Sequence, residues 1–281
     1  MSRVRIIPRI DIKNENLVKG IHFEGLRVLG APEEFANYYY ENGADEIMYT
    51  DVVASLYDRC SLNHVIEEMA KNIFVPLTVA GGIRNLDDIR KALLSGADKV
   101  SLNTAAIENP SFIKEAAREF GRSTIVVTVE SIKGADDYYC FTDNGREETG
   151  RKVLEWVKEI EELGAGEIVL SSVDHEGAGK GFDLELIKEV VKNAKVPVVV
   201  HGGAGTKEHV ESVVKLGVDG VVIASLFHYD YIQKSKYRDS KGLEGNTDFL
   251  KSGRVAKSFE PINIKDLKGY LNRNEKICRE I

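Results

Sequence analysis

The chain of 281 residues has only three cysteines, Cys60, Cys140 and Cys278, an odd number set far apart and without a C-x-x-C spacing. That pattern offers neither a disulfide framework nor a zinc site. The thiols read as reduced and structural, and no metal or cofactor is expected. No run approaches the roughly 18 consecutive apolar residues of a membrane span. The opening "MSRVRIIPRIDIK" is too short and too charged for a signal peptide, so a soluble, cytoplasmic protein away from the membrane is expected. Positive charge is not in excess: 38 Lys and Arg face 45 Asp and Glu, a formal net charge of −7. This balance disfavours general nucleic-acid binding, and any anion would have to be held by local geometry. There is also no Pro/Ser-rich linker, so a chain with 43% hydrophobic residues is either one large α/β barrel or two ordinary domains.

What is present is an alternation of strand and helix signals. "RVRIIPRIDI" precedes a Pro32-started helix "PEEFANYYYENGA", followed by "DEIMYTDVVAS", "VPLTVAGGI", a helix "LDDIRKALLSGA" and "DKVSLNTA". The order returns as "STIVVTVE", a helix "GRKVLEWVKEIEELGA", "GEIVLSSVD", "VPVVVHGGAG", "KEHVESVVKLGV" and "DGVVIAS". A shift of 121 lays Gly43-Ala44 on Gly164-Ala165, Glu46 on Glu167, Pro76 on Pro197, Gly81-Gly82 on Gly202-Gly203 and Asp98 on Asp219. Two (βα)₄ halves, about 1–120 and 121–230, explain this most simply. Eight parallel strands with right-handed crossovers predict a TIM (βα)₈ barrel, whose site forms from loops at the carboxyl ends of the strands. An open doubly wound sheet also alternates βα, but a two-fold repeat of four units closes more naturally. A single domain over 1–281 is expected, with an insertion over 233–261 and a last helix over about 263–279.

Each half carries one Gly-Gly corner after an apolar strand. Glycine lets backbone approach a ligand closely, and the following helix start offers unpaired N–H groups, which suits a phosphate. An isolated pair would be most simply a tight turn; two in matching register carry the phosphate reading. The first cradle would be Gly81, Gly82, Asn103 and Thr104, and the second Gly202, Gly203, Ala224 and Ser225 with Gly177. Their small phosphorylated substrate would carry two phosphates, or an anion at each end. Between the cradles Asp11 and Glu130 end the first and fifth strands, across the mouth from each other. Opposed carboxylates serve as general acid and base where their environments separate their pKa values, whereas a structural role would be pairing with a cation such as Lys13 or Lys19.

"RIIPRIDIK", "LVKG", "ADKVSLNTAAIENP", "GAGEI" and "HGGAG" resemble the cyclase subunit family of imidazole glycerol phosphate synthase, HisF, over residues 1 to about 232 and again at "INIKDLKGYL". The resemblance implies a two-fold-repeated TIM barrel whose floor docks a HisH-like glutaminase. Ammonia would cross the interior and react at the mouth with a bisphosphorylated ribulosyl aminoimidazole carboxamide intermediate, giving imidazole glycerol phosphate and an aminoimidazole carboxamide ribotide. It further implies Asp11 as general acid, position 130 as base, Lys19 in a mobile first loop, Arg5, Glu46, Lys99 and Glu167 as a charged ammonia gate, and Asp98 at the partner interface. Near the chemistry the chain departs from that pattern. Glu130 stands where aspartate is usual, as does Glu176 beside the second phosphate site, and Arg9 and His201 stand where small residues are.

The insertion from Gln233 to Pro261 adds Lys234, Lys236, Arg238, Lys251, Arg254 and Lys257 at the catalytic face. It reads as a solvated loop, or as a contact for an acidic partner or a larger anionic substrate. "VVASLYDRCSL" and "FTDNGREETG" resemble a paralogue branch found with a glutaminase and a sugar amidotransferase in surface-polysaccharide pathways. Departures near the chemistry combined with a retained floor favour that branch, with delivery of ammonia for sugar amidination. The alternative is the cyclase of histidine biosynthesis.

Overall fold

Strands rich in Val and Ile on both faces are stable only where both faces are covered, as in a parallel sheet wrapped by helices. The computed structural model, which describes residues 3–54, 63–235, 257–273 and 277–280, has this arrangement closed on itself. In chain order the strands are β1 (Arg5–Lys13), β2 (Asn16–Ile21), β3 (Glu24–Gly30), β4 (Ile47–Asp51), β5 (Leu77–Ala80), β6 (Lys99–Leu102), β7 (Ile125–Lys133), β8 (Tyr138–Thr142), β9 (Glu147–Lys152), β10 (Glu167–Ser172), β11 (Val198–His201) and β12 (Gly220–Ile223). Eight of them, β1, β4, β5, β6, β7, β10, β11 and β12, pair in parallel around a full circle. Arg5 lies opposite Gly220 where β12 meets β1, and Glu167 opposite Val126 where β7 meets β10. The expected TIM barrel is therefore formed.

The helices are α1 (Pro32–Glu41), α2 (Asn63–Ala70), α3 (Leu86–Leu94), α4 (Thr104–Glu108), α5 (Ser111–Phe120), α6 (Val153–Leu163), α7 (Leu184–Asn193), α8 (Lys207–Val214), α9 (Ser225–Lys234) and α10 (Ile264–Leu271). Their apolar faces and the outward faces of the strands make one continuous core that includes Phe35, Tyr39, Trp156 and Phe227. A separate cluster fills the barrel interior: Ile7, Met48, Ala80, Val126, Val169, Val199 and Val222, one from nearly every barrel strand. Among the described residues no helix is long and apolar enough to cross a membrane.

Two antiparallel hairpins add to the alternation read from the sequence. β2–β3 follows β1, and β8–β9 follows β7, so each half opens with a strand extended into a hairpin. The helix expected from Gly150 begins at Val153 instead, because Glu147–Lys152 pairs with β8. Asp143, Asn144 and Gly145 turn that hairpin with φ of 53°, 59° and 79°. An Asn-Gly turn is a strong local signal for such a hairpin. The last helix ends at Leu271 rather than near 279. The Asn272 amide binds the backbone of Cys278 in both directions and turns the tail back, and the Ile277 carbonyl accepts from Val4 N at 2.9 Å. Of the insertion, Lys234 closes α9 and pairs with Asp230, and Lys257 is exposed. Lys236, Arg238, Lys251 and Arg254 lie outside the described residues, as do Cys60 and most of "VVASLYDRCSL".

Candidate active site

Side chains point inward from alternate positions along each barrel strand, so Arg5, Ile7, Arg9 and Asp11 climb the interior from floor to mouth. At the floor Arg5 donates to Glu46 at 2.7 Å and to Glu167 at 2.6 Å, and Lys99 reaches the same two carboxylates at 2.9 and 3.3 Å. Thr78 Oγ1 donates to Glu46 at 2.6 Å. The four expected charges thus close into one ring, each cation bridging both anions. Burial works against the Arg5 charge, but Glu167 and Glu46 outweigh it and hold the guanidinium above its ordinary value. Asp98 is exposed beside this ring, and its carboxylate accepts from Leu77 N at 2.8 Å. Asp45 and Asp219 accept likewise from Ile6 N and Val198 N, so this aspartate position also ties strand starts.

Above the apolar interior the lining turns polar. Ser101 Oγ and Thr128 Oγ1 lie 2.7 Å apart, and the buried Thr50 Oγ1 has no hydrogen-bond partner among the described residues. These residues line a cavity of about 230 Å³ that also touches Gly81, Gly82, Asn103, Thr104, Arg9, Glu130 and, at its base, Met48 and Ala80 of the interior cluster. The first cradle therefore opens on the same space as Glu130 and the top of the interior. Gly81 and Gly82 hold φ of 91° and 71°, and a methyl on Gly81 would strike the Asp51 carbonyl. Asn103 starts α4 without capping it, and its buried Oδ1 has no partner among the described residues.

The second cradle is arranged differently. Gly202 and Gly203 share the positive φ of their counterparts (95° and 121°), and Ala224 starts α9, like Asn103, without a side-chain cap. Yet Gly202, Gly203, Ala224 and Ser225 do not line the cavity. Gly203 is packed against the Gly181 carbonyl and Gly205 against that of Gly179, while Glu260 N donates to Gly205 O at 2.8 Å. The β2–β3 hairpin lies across this half. Lys19 Nζ pairs with Glu176 and donates to Gly20 O at 2.9 Å; Phe23 N donates to Glu176 Oε2 at 3.0 Å, and His22 N to Glu176 O at 3.0 Å. Gly177 packs directly under the Gly20 carbonyl, where a side chain would not fit.

The hairpins cross reciprocally. His22 Nδ1 lies 2.7 Å from Val173 O, after β10, and Asn144 Nδ2 donates at 2.6 Å to Val52 O, after β4. Val52 and Val173 are partners under the 121 shift, so each half's hairpin is latched onto the other half. The sequence reading missed this. Its available signals were the Asp-Asn-Gly turn and the alternation in "LVKGIHFEGLRVLG".

Asp11 does not line the cavity; Arg9 lies against it, with Nε donating to Asp11 Oδ1 at 2.6 Å and both residues buried. Arg9 Nη1 is 3.4 Å from His201 Nδ1, which Ser171 Oγ approaches to 2.9 Å, and the guanidinium sits 5.1 Å from the Phe23 ring centre. Burial, then Arg9 and Lys19, hold His201 well below its ordinary pKa, so the ring is neutral and Nδ1 accepts from Arg9. Glu130 is buried and pushed up to about 7, burial outweighing the Gly145 N–H at 2.9 Å and the nearby Arg9 charge. A carboxyl titrating there can give or take a proton near neutrality.

Comparisons with known proteins agree with this architecture. The model of a family described as histidine biosynthesis protein matches residues 5–233. The imidazole glycerol phosphate synthase subunit HisF of Legionella pneumophila is 50% identical over 209 residues, covering 74% of this chain and 99% of that protein. Proteins of the same name from Natranaerobius thermophilus (42% identity, 87% of this chain and 99% of the relative) and Staphylococcus saprophyticus (44%, 81% and 92%) are also similar. With a closed two-fold barrel, a charged floor and paired glycine corners, the chain belongs to the HisF family of histidine-biosynthesis proteins.

Proposed function

We propose that this chain is the cyclase subunit of a cytoplasmic imidazole glycerol phosphate synthase. It would take ammonia from a HisH-like glutaminase docked on the floor near Asp98 and use it on the bisphosphorylated ribulosyl aminoimidazole carboxamide intermediate at the mouth. The observation that carries this reading is the continuity of one cavity from Met48 and Ala80, at the top of the apolar interior, to Glu130 and the first glycine cradle. A neutral ammonia molecule crosses an apolar interior at far lower cost than ammonium. It would emerge beside a carboxyl able to accept its proton.

In this reading Glu130 is the base and Asp11 the acid. Gly81, Gly82, Asn103 and Thr104 hold one phosphate. Gly202, Gly203, Ala224, Ser225 and Gly177 hold the other after the β2–β3 hairpin lifts to admit it and docks again over it, with Lys19 and Glu176 controlling that hairpin. Arg5, Glu46, Lys99 and Glu167 gate the floor. The names of the relatives favour this over the sugar-amidination branch preferred from the sequence. That second reading, with a sugar amidotransferase as third partner, retains one supporting observation: Arg9 already occupies Asp11 and faces the cavity. Purified protein given the ribulosyl intermediate and an ammonium salt, without glutaminase, separates the two. Turnover to imidazole glycerol phosphate that is lost in Asp11→Asn supports the cyclase. Folded protein that binds a glutaminase yet makes no product supports ammonia delivery alone.

A further inference from the structure

The proposed function gives no role to Arg9, the largest charged side chain buried at the centre of the mouth. Its surroundings are specific. Nε holds Asp11 at 2.6 Å, Nη1 faces His201 Nδ1 at 3.4 Å, and the guanidinium carbon lies over the Phe23 ring, 5.1 Å from its centre. Phe23 is the unusual member of this set. It sits at the tip of the β2–β3 hairpin with φ of 59°, yet is only 4% exposed, while its neighbours Ile21, His22 and Glu24 are exposed. A hairpin tip normally faces solvent, so a buried aromatic there marks a docked tip. Its ring also lies 6.2 Å from that of His201.

We propose that Arg9 is a positioning residue that makes the orientation of Asp11 depend on closure of the first hairpin. The inference rests on the cyclase reading for its catalytic consequence and on geometry alone for its structural one. With the hairpin docked, Phe23 shields the guanidinium from water, and a shielded cation binds both the ring face and the carboxylate more strongly. Arg9 then has one arrangement, Nε on Asp11 and Nη1 on neutral His201, and Asp11 is fixed. With the hairpin lifted, water reaches Arg9, the pair is screened, and Asp11 loses its fixed orientation. Substrate sequestration and alignment of the Asp11 carboxylate thus become one event, which protects the ammonia-consuming step from water. The Lys19 and Phe23 bonds to Glu176 supply the other half of the latch.

The test combines hydrogen exchange with kinetics on the full-length chain. In the native protein the His22 and Phe23 amides, both held by Glu176, are expected to exchange slowly. Arg9→Gln and Phe23→Leu are each expected to speed their exchange at least tenfold while β7 and α6 amides are unchanged, and Arg9→Lys, which keeps a cation under Phe23, is expected to recover most of the protection. For turnover with ammonium, Arg9→Gln is expected to lower kcat about 100-fold, the cost of misplacing a reacting group by about an ångström, with KM within about threefold. Phe23→Leu, which leaves β1 untouched and cannot be blamed on misfolding of the barrel, is expected to lower kcat in the same sense. Unchanged hairpin protection in folded Arg9→Gln overturns the proposal, as does a loss confined to KM. If the native protein makes no imidazole product, the cyclase reading fails, and hydrogen exchange alone decides the coupling of Arg9 to the hairpin.

Discussion

Glu130→Gln isolates the cost of keeping a charge at the mouth. The carboxyl is raised from 4.5 to about 7, chiefly by burial. At about 1.4 kcal/mol for each tenfold change in proton affinity, that is about 3 kcal/mol against the ionised form. The folded protein binds this proton more tightly than the unfolded chain, so the group's stability contribution is fully present below about pH 4.5. It is lost as pH rises through 7. Glutamine keeps the shape and can accept from Gly145 N but never ionises. Urea unfolding of both proteins should therefore give similar stabilities near pH 5 and a Glu130→Gln protein that is more stable by about 2–3 kcal/mol near pH 8, with equal slopes. The same ionisation should place the acid limb of kcat/KM near pH 7 in the native enzyme if Glu130 is the base. A stability difference that does not vary with pH would refute the burial argument.

Other perturbations probe the remaining parts. Lys19→Ala strands the buried Glu176 carboxylate without its cation, and chemical denaturation should show a loss of about 3 kcal/mol near pH 8. Gly203→Ala forces a methyl onto the Gly181 carbonyl at φ of 121°, so a loss of about 2 kcal/mol or more in thermal unfolding is expected. Lys99→Met breaks the floor ring without touching the mouth. It should leave ammonium-dependent turnover within about twofold and change glutamine-dependent turnover in a complex with a glutaminase, and equal effects on both would contradict the gate assignment.

The fold was legible because its signals are local and repeated. Each barrel strand is a short β-branched run followed by an amphipathic helix, and the 121 shift superposes residues of several kinds. The hairpins were not, because "NLVKGIHFEGLRVLG" and "YYCFTDNGREETGRK" interrupt the βα alternation with short strands that gain stability only by crossing to the other half. At the site, the members of the floor ring meet one another at the strand starts and those of the first cradle at the strand ends, as their positions require. The sequence marked Arg9 and His201 as departures, but not that Arg9 would bind Asp11, since that contact depends on Phe23 arriving from a hairpin tip to exclude water. Nor did the matched Gly-Gly corners announce their inequality, which comes from the hairpin and from residues near Glu260 packing over only one of them.

The central claim is that floor and mouth are two ends of one enzyme, and isotope channelling tests it most directly. The protein in complex with a HisH-like glutaminase is given the ribulosyl intermediate, glutamine labelled with ¹⁵N in the side-chain amide, and an excess of unlabelled ammonium at a pH where external ammonium reacts slowly. The account predicts imidazole glycerol phosphate that retains most of the ¹⁵N despite the unlabelled pool. Product whose label is diluted to the bulk ratio, or glutamine hydrolysis with no imidazole product, would contradict it.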